Sequence, residues 1–187
     1  MEQKKCIILI GLPCSGKTWF FWEKFKDFTR FAPEECDTKF HEKMEFGICF
    51  KSTTSFVVDS TNHTREARKR YIVMAKAMGF HVVGYYFQPD LDASIELNEN
   101  RKRNRFGLKN VVELASFQAE RLGYYLDEYA ISPPADMKKV GTPKKKMTEK
   151  RIREIYDEME EPSYDEEFDE LYLTYFDEDH FETEPWA

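Results

Sequence analysis

The sequence predicts a three-layer α/β/α fold, in which helices cover both faces of a five-stranded parallel sheet within one domain spanning residues 1–187. Short apolar runs alternate along the chain with longer segments of helical periodicity. Two of these runs lead directly into a glycine or an aspartate. The 187 residues are 41% hydrophobic and 16% aromatic, which is enough for a substantial core. Because ligands of parallel sheets bind at the carboxyl ends of the strands, the glycine and the aspartate mark the expected site.

The predicted strands are short and mainly apolar. Residues 6–10, CIILI, form a continuous apolar run, which is typical of a strand buried on both faces. Residues 55–60, SFVVDS, have the same character, with Asp59 at the carboxyl end. The other three strands are expected at residues 30–36 (RFAPEEC, the weakest of the five), 80–87 and 170–176.

Helices are expected between these strands. Residues 64–79 place apolar side chains near helical spacing and end at Gly79, which is a common helix stop. Residues 106–140 are longer than a crossover helix requires, so we expect an insertion or an enlarged helical lid there. The end of the chain, residues 177–187, is expected to be an acidic tail. The remaining helices are expected at residues 17–28 and 90–105, with a further one ending near EIYDEM at residues 154–159.

Acidic residues are concentrated at the end of the chain. The formal net charge is −7, but the residues from Glu154 onward hold 15 of the 35 acidic residues and none of the 28 basic ones. Residues 1–153 therefore carry 28 basic and 20 acidic residues, a balance of +8. The net charge does not exclude a nucleic-acid partner for this basic part. The acidic end is a candidate site for a protein partner.

No segment has the composition of a membrane span or of a secretory signal. No run approaches the roughly 18 apolar residues needed to cross a bilayer, and the apolar run near the N-terminus leads into Gly-Lys-Thr rather than a cleavage site. Metal-binding spacing is also missing among the cysteines. We therefore expect a cytoplasmic protein with no membrane partner and four reduced thiols at Cys6, Cys14, Cys36 and Cys49.

The phosphate loop is the most specific motif. The sequence GLPCSGKT fits the pattern GxxxxGK[ST] and lies between a predicted buried strand and a predicted helix. In such a loop, backbone amides and the helix N-terminus surround a phosphate. Lys17 can reach the β- and γ-phosphates, and the hydroxyl of Thr18 can bind Mg²⁺. The motif predicts a nucleoside triphosphate, ATP by default, held by Gly11, Leu12, Pro13, Cys14, Ser15, Gly16, Lys17 and Thr18.

Two aspartates follow predicted strands. Asp37 is either a general base for an attacking hydroxyl or the N-cap of a helix that begins near Thr38. Asp59 is either a carboxylate that binds Mg²⁺ together with Thr18 or part of an ordinary turn, because the residues after it also favour turns. Thr61, two positions later, can bond the loop backbone.

Clusters of basic residues have two interpretations each. Arg101, Lys102, Arg103 and Arg105 form either a cationic lid over a transferred phosphoryl group or a solvated helix end. Lys144, Lys145 and Lys146 form a second cluster, which belongs to the lid, contacts nucleic acid or is only a polar loop. Arg68 can point toward the site. The aromatic run that follows the phosphate loop favours core packing over base stacking.

The segment VVDSTNHTREARKRYIVMAKAMGFHVVGYYF resembles the central part of the 5′-hydroxyl polynucleotide kinases, the end-healing enzymes of phages and animals. The phosphate loop, CDT at residues 36–38 and EEPSYDEEFDELYLTYF at residues 160–176 also resemble that family's motifs. The resemblance covers most of the chain except residues 106–140. It implies transfer of the γ-phosphate of ATP to a 5′-hydroxyl of DNA or RNA, with Mg²⁺ as cofactor.

The resemblance also implies roles for individual residues. Asp37 matches the general base, and Asp59 and Thr61 match the motif beside the active site. Arg103, with Asn100, matches the lid arginine. Lys17 and Thr18 match the phosphate and metal contacts. Within the lid we expect Arg101 to contact the nucleotide, and at the acceptor side we expect Asp37, Asp59, Thr61 and Arg68.

Three departures from the family concern the acceptor and the lid. Glu99 stands where the lid motif has its first arginine, and Cys36 replaces the arginine before the base. Phe40 stands where the phage-type enzymes have an arginine that grips the acceptor strand. The sequence therefore supports a kinase of a nucleic-acid 5′-hydroxyl first. A kinase of a small-molecule hydroxyl and a non-catalytic nucleotide-binding module are the alternatives.

Overall fold

The computed structural model describes residues 3–36, 38–51, 54–103, 147–177 and 180–187, with residues 100–103 described by their backbone. The strands in these ranges are β1 (Lys5–Ile10), β2 (Thr29–Phe31), β3 (Phe56–Asp59), β4 (His81–Phe87), β5 (Glu170–Asp177) and β6 (His180–Pro185). The helices are α1 (Lys17–Lys24), α2 (Lys39–Lys51), α3 (Arg65–Ala77), α4 (Leu91–Arg103) and α5 (Glu149–Asp157). Short 3₁₀ turns lie at Pro33–Glu35 and Tyr164–Glu166.

The strands form one sheet in the order β2-β3-β1-β4-β5-β6. Every neighbouring pair is parallel except β5 and β6, which are antiparallel. The predicted α/β fold class with a parallel sheet is therefore confirmed, but the sheet has six strands among the described residues instead of five. The predicted insertion at residues 106–140 lies outside the described residues.

Strand β1 lies at the centre of the sheet and is buried on both faces. Its residues Cys6, Ile8 and Ile10 pack with α2 and α3, whereas Ile7 and Leu9 pack with α1 on the opposite face. Successive side chains of a strand point to opposite faces, so a central strand covered by helices on both sides is apolar throughout. This explains why CIILI has no polar alternation.

Two predicted elements have different bounds in the structure. The strand expected at residues 30–36 covers only Thr29–Phe31, because Pro33 begins a 3₁₀ turn directly afterwards. Helix α1 ends at Lys24, four residues before its predicted end. Phe25 and Phe28, just beyond it, pack against the same face of the sheet as α1. The aromatic run after the phosphate loop is thus core packing.

Helix α3 begins and ends where the sequence predicts. The hydroxyl of Thr64 accepts a hydrogen bond from the backbone N–H of Ala67, which satisfies one of the first amides of the helix. At the other end, Gly79 adopts φ 75°, a left-handed conformation that glycine tolerates without steric cost. Local capping chemistry therefore determines both ends of this helix.

The C-terminal segment forms the edge strand β6 rather than a loose acidic tail. Residues 180–185 pair with β5, although five of the eleven residues in 177–187 are acidic. Within β6 the buried side chain is that of Phe181, and the next residues along the strand include Glu182 and Glu184. Phe181 is 5% exposed and packs edge-to-face on Trp19, Phe20 and Phe87. Acidic side chains on the solvent-facing side obscured the strand in the sequence, and they suit an unpaired sheet edge.

None of the described helices is long and apolar enough to span a membrane.

Replacement of Phe181 by alanine should destabilise the protein much more than replacement of Phe176 by alanine. Both residues belong to the β5–β6 hairpin, but Phe176 is 46% exposed. We expect Phe181→Ala to lower the free energy of unfolding by about 3–5 kcal/mol, as other buried aromatic truncations do. Urea unfolding followed by tryptophan fluorescence measures both variants, and equal losses would contradict the packing described for β6.

Candidate active site at the carboxyl end of the sheet

The phosphate loop connects β1 to α1, as predicted, and close packing restricts two of its positions to glycine. A Cβ added to Gly11 would lie 2.8 Å from Cβ of Phe87, and one added to Gly16 would lie 2.5 Å from Cζ of Phe181. Gly16 also has φ 86°, which disfavours any other residue. Cys14 adopts φ 63°. The loop therefore turns tightly against β4 and β6.

Helix α1 begins directly at the end of this loop. Its first residue is Lys17, and no side chain caps its N-terminus. The positive end of the helix dipole therefore faces the loop, where an anion is favoured.

Lys17 is buried inside the loop. Its side chain is 7% exposed, and Nζ donates hydrogen bonds to the carbonyl oxygens of Gly11, at 2.9 Å, and Leu12. Nζ also lies 3.2 Å from Oγ of Ser15. The ammonium group is thus enclosed by the loop, and the structure places these predicted phosphate-binding residues together.

Asp59 joins the loop to the third strand. Its side chain is 4% exposed, and its Oδ2 accepts a hydrogen bond of 2.9 Å from the hydroxyl of Thr18. Asp59 ends β3 and pairs with Leu9 of β1, so the parallel sheet brings it beside the first turn of α1. The two residues predicted to bind Mg²⁺ are therefore neighbours in the structure, while their binding of the metal stays a prediction.

Arg30, a residue that the sequence analysis missed, also contacts Asp59. Its Nε donates to Oδ2 of Asp59 at 2.7 Å, and its Nη2 lies 2.6 Å from the same oxygen. Its two terminal nitrogens donate to the two oxygens of Glu35 at 3.1 and 2.9 Å. Burial alone lowers the pKa of Arg30, but the charges of Asp59 and Glu35 and their hydrogen bonds raise it above its ordinary value. Arg30 is therefore a permanent cation between two carboxylates.

One feature of the sequence could have identified Arg30. It is a charged residue within the short strand TRF, directly before a buried phenylalanine, and a partly buried charge requires a partner. The sequence did not identify that partner, because it does not contain the register that places Arg30 beside Val57, two residues before Asp59.

The loop between β3 and α3 is hydrogen-bonded to the start of the phosphate loop and to the end of β1. The carbonyl of Thr61 accepts a hydrogen bond of 2.9 Å from the N–H of Gly11. Nδ2 of Asn62, which is 3% exposed, donates to the carbonyl of Leu9 at 2.7 Å. The hydroxyl of Thr61 lies 3.2 Å from Nδ1 of His63. The motif DSTN therefore supports the backbone of the phosphate loop, while the predicted contact between Thr61 and an acceptor stays a prediction.

Arg68 is a structural residue, so its predicted acceptor-binding role is wrong. Its side chain is fully buried, and its Nε and Nη2 donate to the two oxygens of Glu166 at 2.7 and 2.8 Å. Its Nη1 donates to the carbonyl oxygens of Asn62 and Glu160, both at 3.0 Å. These bonds occupy the guanidinium and hold α3 to the turn before β5, so Arg68 cannot extend to a ligand without breaking them.

The remaining predicted site residues are not tested by these contacts. Asp37 lies outside the described residues, as do Arg105 and Lys144 to Lys146. The backbone of Arg101 and Arg103 forms part of the last turn of α4, but the side chains of both residues lie outside the described part.

The residues present fit a nucleoside triphosphate with Mg²⁺. The loop turns at Gly16 without a side chain, and it encloses the buried ammonium of Lys17. The oxygens of Thr18 and Asp59 are hard donors that suit Mg²⁺, with phosphates and water as the other ligands. Across the described ranges, no group of three or more His, Cys, Asp or Glu side chains could hold a metal ion by itself.

Comparison with solved structures supports this description of the fold. A gluconokinase from Sinorhizobium meliloti 1021 superposes with a TM-score of 0.50 over 94% of this chain and 84% of its own, at 10% identity. The chain has the fold of the P-loop kinases. A structure of the PezAT chromosomal toxin–antitoxin system of Streptococcus pneumoniae also matches, with a TM-score of 0.44, 14% identity and coverage of 84% of this chain and 86% of that one. No protein-family model and no curated protein sequence matches the chain.

Replacement of Arg68 by alanine should strongly destabilise the protein, because it leaves Glu166 as a buried carboxylate without its partner. We expect the free energy of unfolding to fall by about 3–5 kcal/mol, as measured by urea denaturation. The matched control is Arg65→Ala, which removes an exposed arginine on the same helix that pairs with Asp165. The control should unfold close to wild type, and a similarly mild effect of Arg68→Ala would contradict a structural role.

Proposed function

We propose that this protein is an ATP-dependent phosphotransferase whose acceptor is a hydroxyl group of a small molecule. The observation that carries the proposal is the convergence of Lys17, Thr18 and Asp59 at the carboxyl end of the sheet. Within a P-loop kinase fold, this arrangement suits a bound triphosphate whose terminal phosphoryl group faces the acceptor.

In this proposal Lys17 and the loop amides hold the β- and γ-phosphates, and Thr18 and Asp59 hold Mg²⁺. When bound, Mg²⁺ neutralises charge on the transferred phosphoryl group. Asp37 accepts the proton of the acceptor hydroxyl, whose oxygen then bonds to the γ-phosphorus as ADP leaves. Arg101 and Arg103, at the end of α4, supply further positive charge.

The electrostatics of the described acceptor side favour a small molecule. Arg68 is occupied by Glu166, and Arg30 is occupied by two carboxylates, one of them Glu35. The carboxylate of Glu34 accepts a hydrogen bond from Ser60 at the same end of the sheet. Acidic groups near the acceptor disfavour the phosphates of a nucleic acid. The gluconokinase that shares the fold is itself named for a small-molecule substrate.

The 5′-hydroxyl of a nucleic acid is the second candidate acceptor. It is favoured by the resemblance of the segment from Val57 to Gly79 to polynucleotide kinases and by the charge of +8 on residues 1–153. Phe40 weakens this candidate, because it is 72% exposed and stands where the phage-type enzymes have an arginine.

Transfer of label from γ-³²P-ATP identifies the acceptor. The panel contains gluconate, other sugars and sugar acids, nucleosides, and DNA and RNA oligonucleotides with 5′-hydroxyl ends, with products identified by mass spectrometry. We expect a labelled small molecule. Labelled oligonucleotides alone would support the second candidate instead, and ATP binding without transfer to any acceptor would support a nucleotide-binding module.

Lys17→Ala should reduce transfer by roughly a hundredfold or more, because it removes the cation that faces the phosphates. The matched control is Lys24→Ala, at the far end of the same helix, where the ammonium is exposed and pairs with Glu23. Initial rates at saturating acceptor measure both variants. Equal rates for Lys17→Ala and wild type would contradict the assignment of the site.

A further inference from the structure

Arg30 contacts two parts of the candidate site, the end of β3 and the turn between β2 and α2. On one side it holds Oδ2 of Asp59, the same oxygen that accepts from Thr18. On the other side it forms a bidentate ion pair with Glu35, in the turn between β2 and α2. Its guanidinium lies 5.9 Å from the ring centre of Phe21 in α1, on the face of the sheet that α1 covers. One side chain thus contacts the end of β3, the turn and α1.

The turn held by Arg30 leads into helix α2. Within it, the N–H of Glu35 donates to the carbonyl of Ala32 at 2.9 Å, and the N–H of Cys36 donates to that of Pro33 at 3.1 Å. The hydroxyl of Thr38 accepts from the N–H of His41 at 3.0 Å, in the first turn of α2. A shift of the turn would therefore move the start of α2 relative to the phosphate loop.

We propose that Arg30 is a positioning residue, which fixes the turn at Pro33–Glu35, and with it the acceptor side of the site, relative to Asp59 and the phosphate loop. This inference rests on the proposed phosphotransferase function. In this role Arg30 sets the distance between the acceptor hydroxyl and the groups that hold the nucleotide.

The chemistry of the contacts explains why this position is an arginine. A planar guanidinium offers donors in several fixed directions, so it can bond both oxygens of Glu35 and still reach Asp59. A lysine ammonium carries three donors on one atom and cannot hold two carboxylates in one plane. The side chains of Arg30 and Glu35 are 21% and 44% exposed, and ion pairs at such sites add little to stability. The pair therefore contributes mainly geometry.

Steady-state kinetics of Glu35→Gln, Arg30→Gln and Arg30→Lys test the proposal, with the acceptor found in the panel. Glu35→Gln should raise the acceptor KM about tenfold and leave the KM for ATP near wild type, because Arg30 still holds Asp59. Arg30→Gln should likewise raise the acceptor KM about tenfold, because it removes the same contact to Glu35. It should not weaken binding of Mn²⁺, measured by electron paramagnetic resonance with ADP present, because it takes a positive charge away from the carboxylate of Asp59. Arg30→Lys should not restore the acceptor KM. The matched control is Arg153→Gln, which removes an exposed arginine paired with Glu149 on α5.

Hydrogen exchange separates this proposal from the proposed function. If no acceptor is phosphorylated by the wild type, the proposed function fails, but the amides of Glu35 and Cys36 still report on the turn. They should exchange about tenfold faster in Glu35→Gln and in Arg30→Gln than in wild type or Arg153→Gln. Unchanged exchange, an unchanged acceptor KM in Glu35→Gln, or wild-type behaviour of Arg30→Lys would each overturn the positioning role.

Discussion

The buried carboxylate of Asp59 is the constraint on which the candidate site depends. A charged group that is 4% exposed requires a partner. Here one carboxylate oxygen of Asp59 accepts hydrogen bonds from the hydroxyl of Thr18 and the guanidinium of Arg30. Through these bonds the end of β3 is connected to the start of α1 and to β2. The two partners have different consequences. Thr18 connects the carboxylate to the end of the phosphate loop, whereas Arg30 places a positive charge beside it and also donates to Glu35. An apolar residue at position 59 would remove the acceptor of the Thr18 hydroxyl and would leave Arg30 with Glu35 alone.

The surrounding fold makes this arrangement rigid. The central strand β1 is covered by helices on both faces, and it leads directly into the phosphate loop. Thr61 accepts a hydrogen bond from Gly11 in the loop, Asn62 donates one to Leu9 near the end of β1, and Phe181 packs against Gly16. Strand β6 thus does more than extend the sheet, because its one inward aromatic residue closes the space behind Gly16. Polar bonds and aromatic packing together fix the main chain that would surround a phosphate.

The sequence predicted residues whose role depends on local pattern, and it misjudged residues whose role depends on distant partners. Arg68 and Arg30 illustrate the difference. Arg68 follows the DSTN motif closely, so it was expected at the acceptor, but its carboxylate partner is Glu166, 98 residues later. Arg30 lies in a weak strand and attracted no prediction, yet it contacts Asp59, 29 residues later. An arginine looks the same in sequence whether it binds a ligand or a buried carboxylate, because only the partner distinguishes the two roles.

The sequence by itself determined the phosphate loop, the buried strands β1 and β3, both ends of α3 and the position of Asp59 at a strand end. These features follow from interactions within a few residues, such as apolar runs, a capping hydroxyl and glycines that tolerate unusual backbone angles. Only the tertiary structure decided that Thr18 and Arg30 share one carboxylate, that Arg68 is buried and that an acidic segment forms β6. Each of these depends on strand register and long-range packing, which no local pattern encodes.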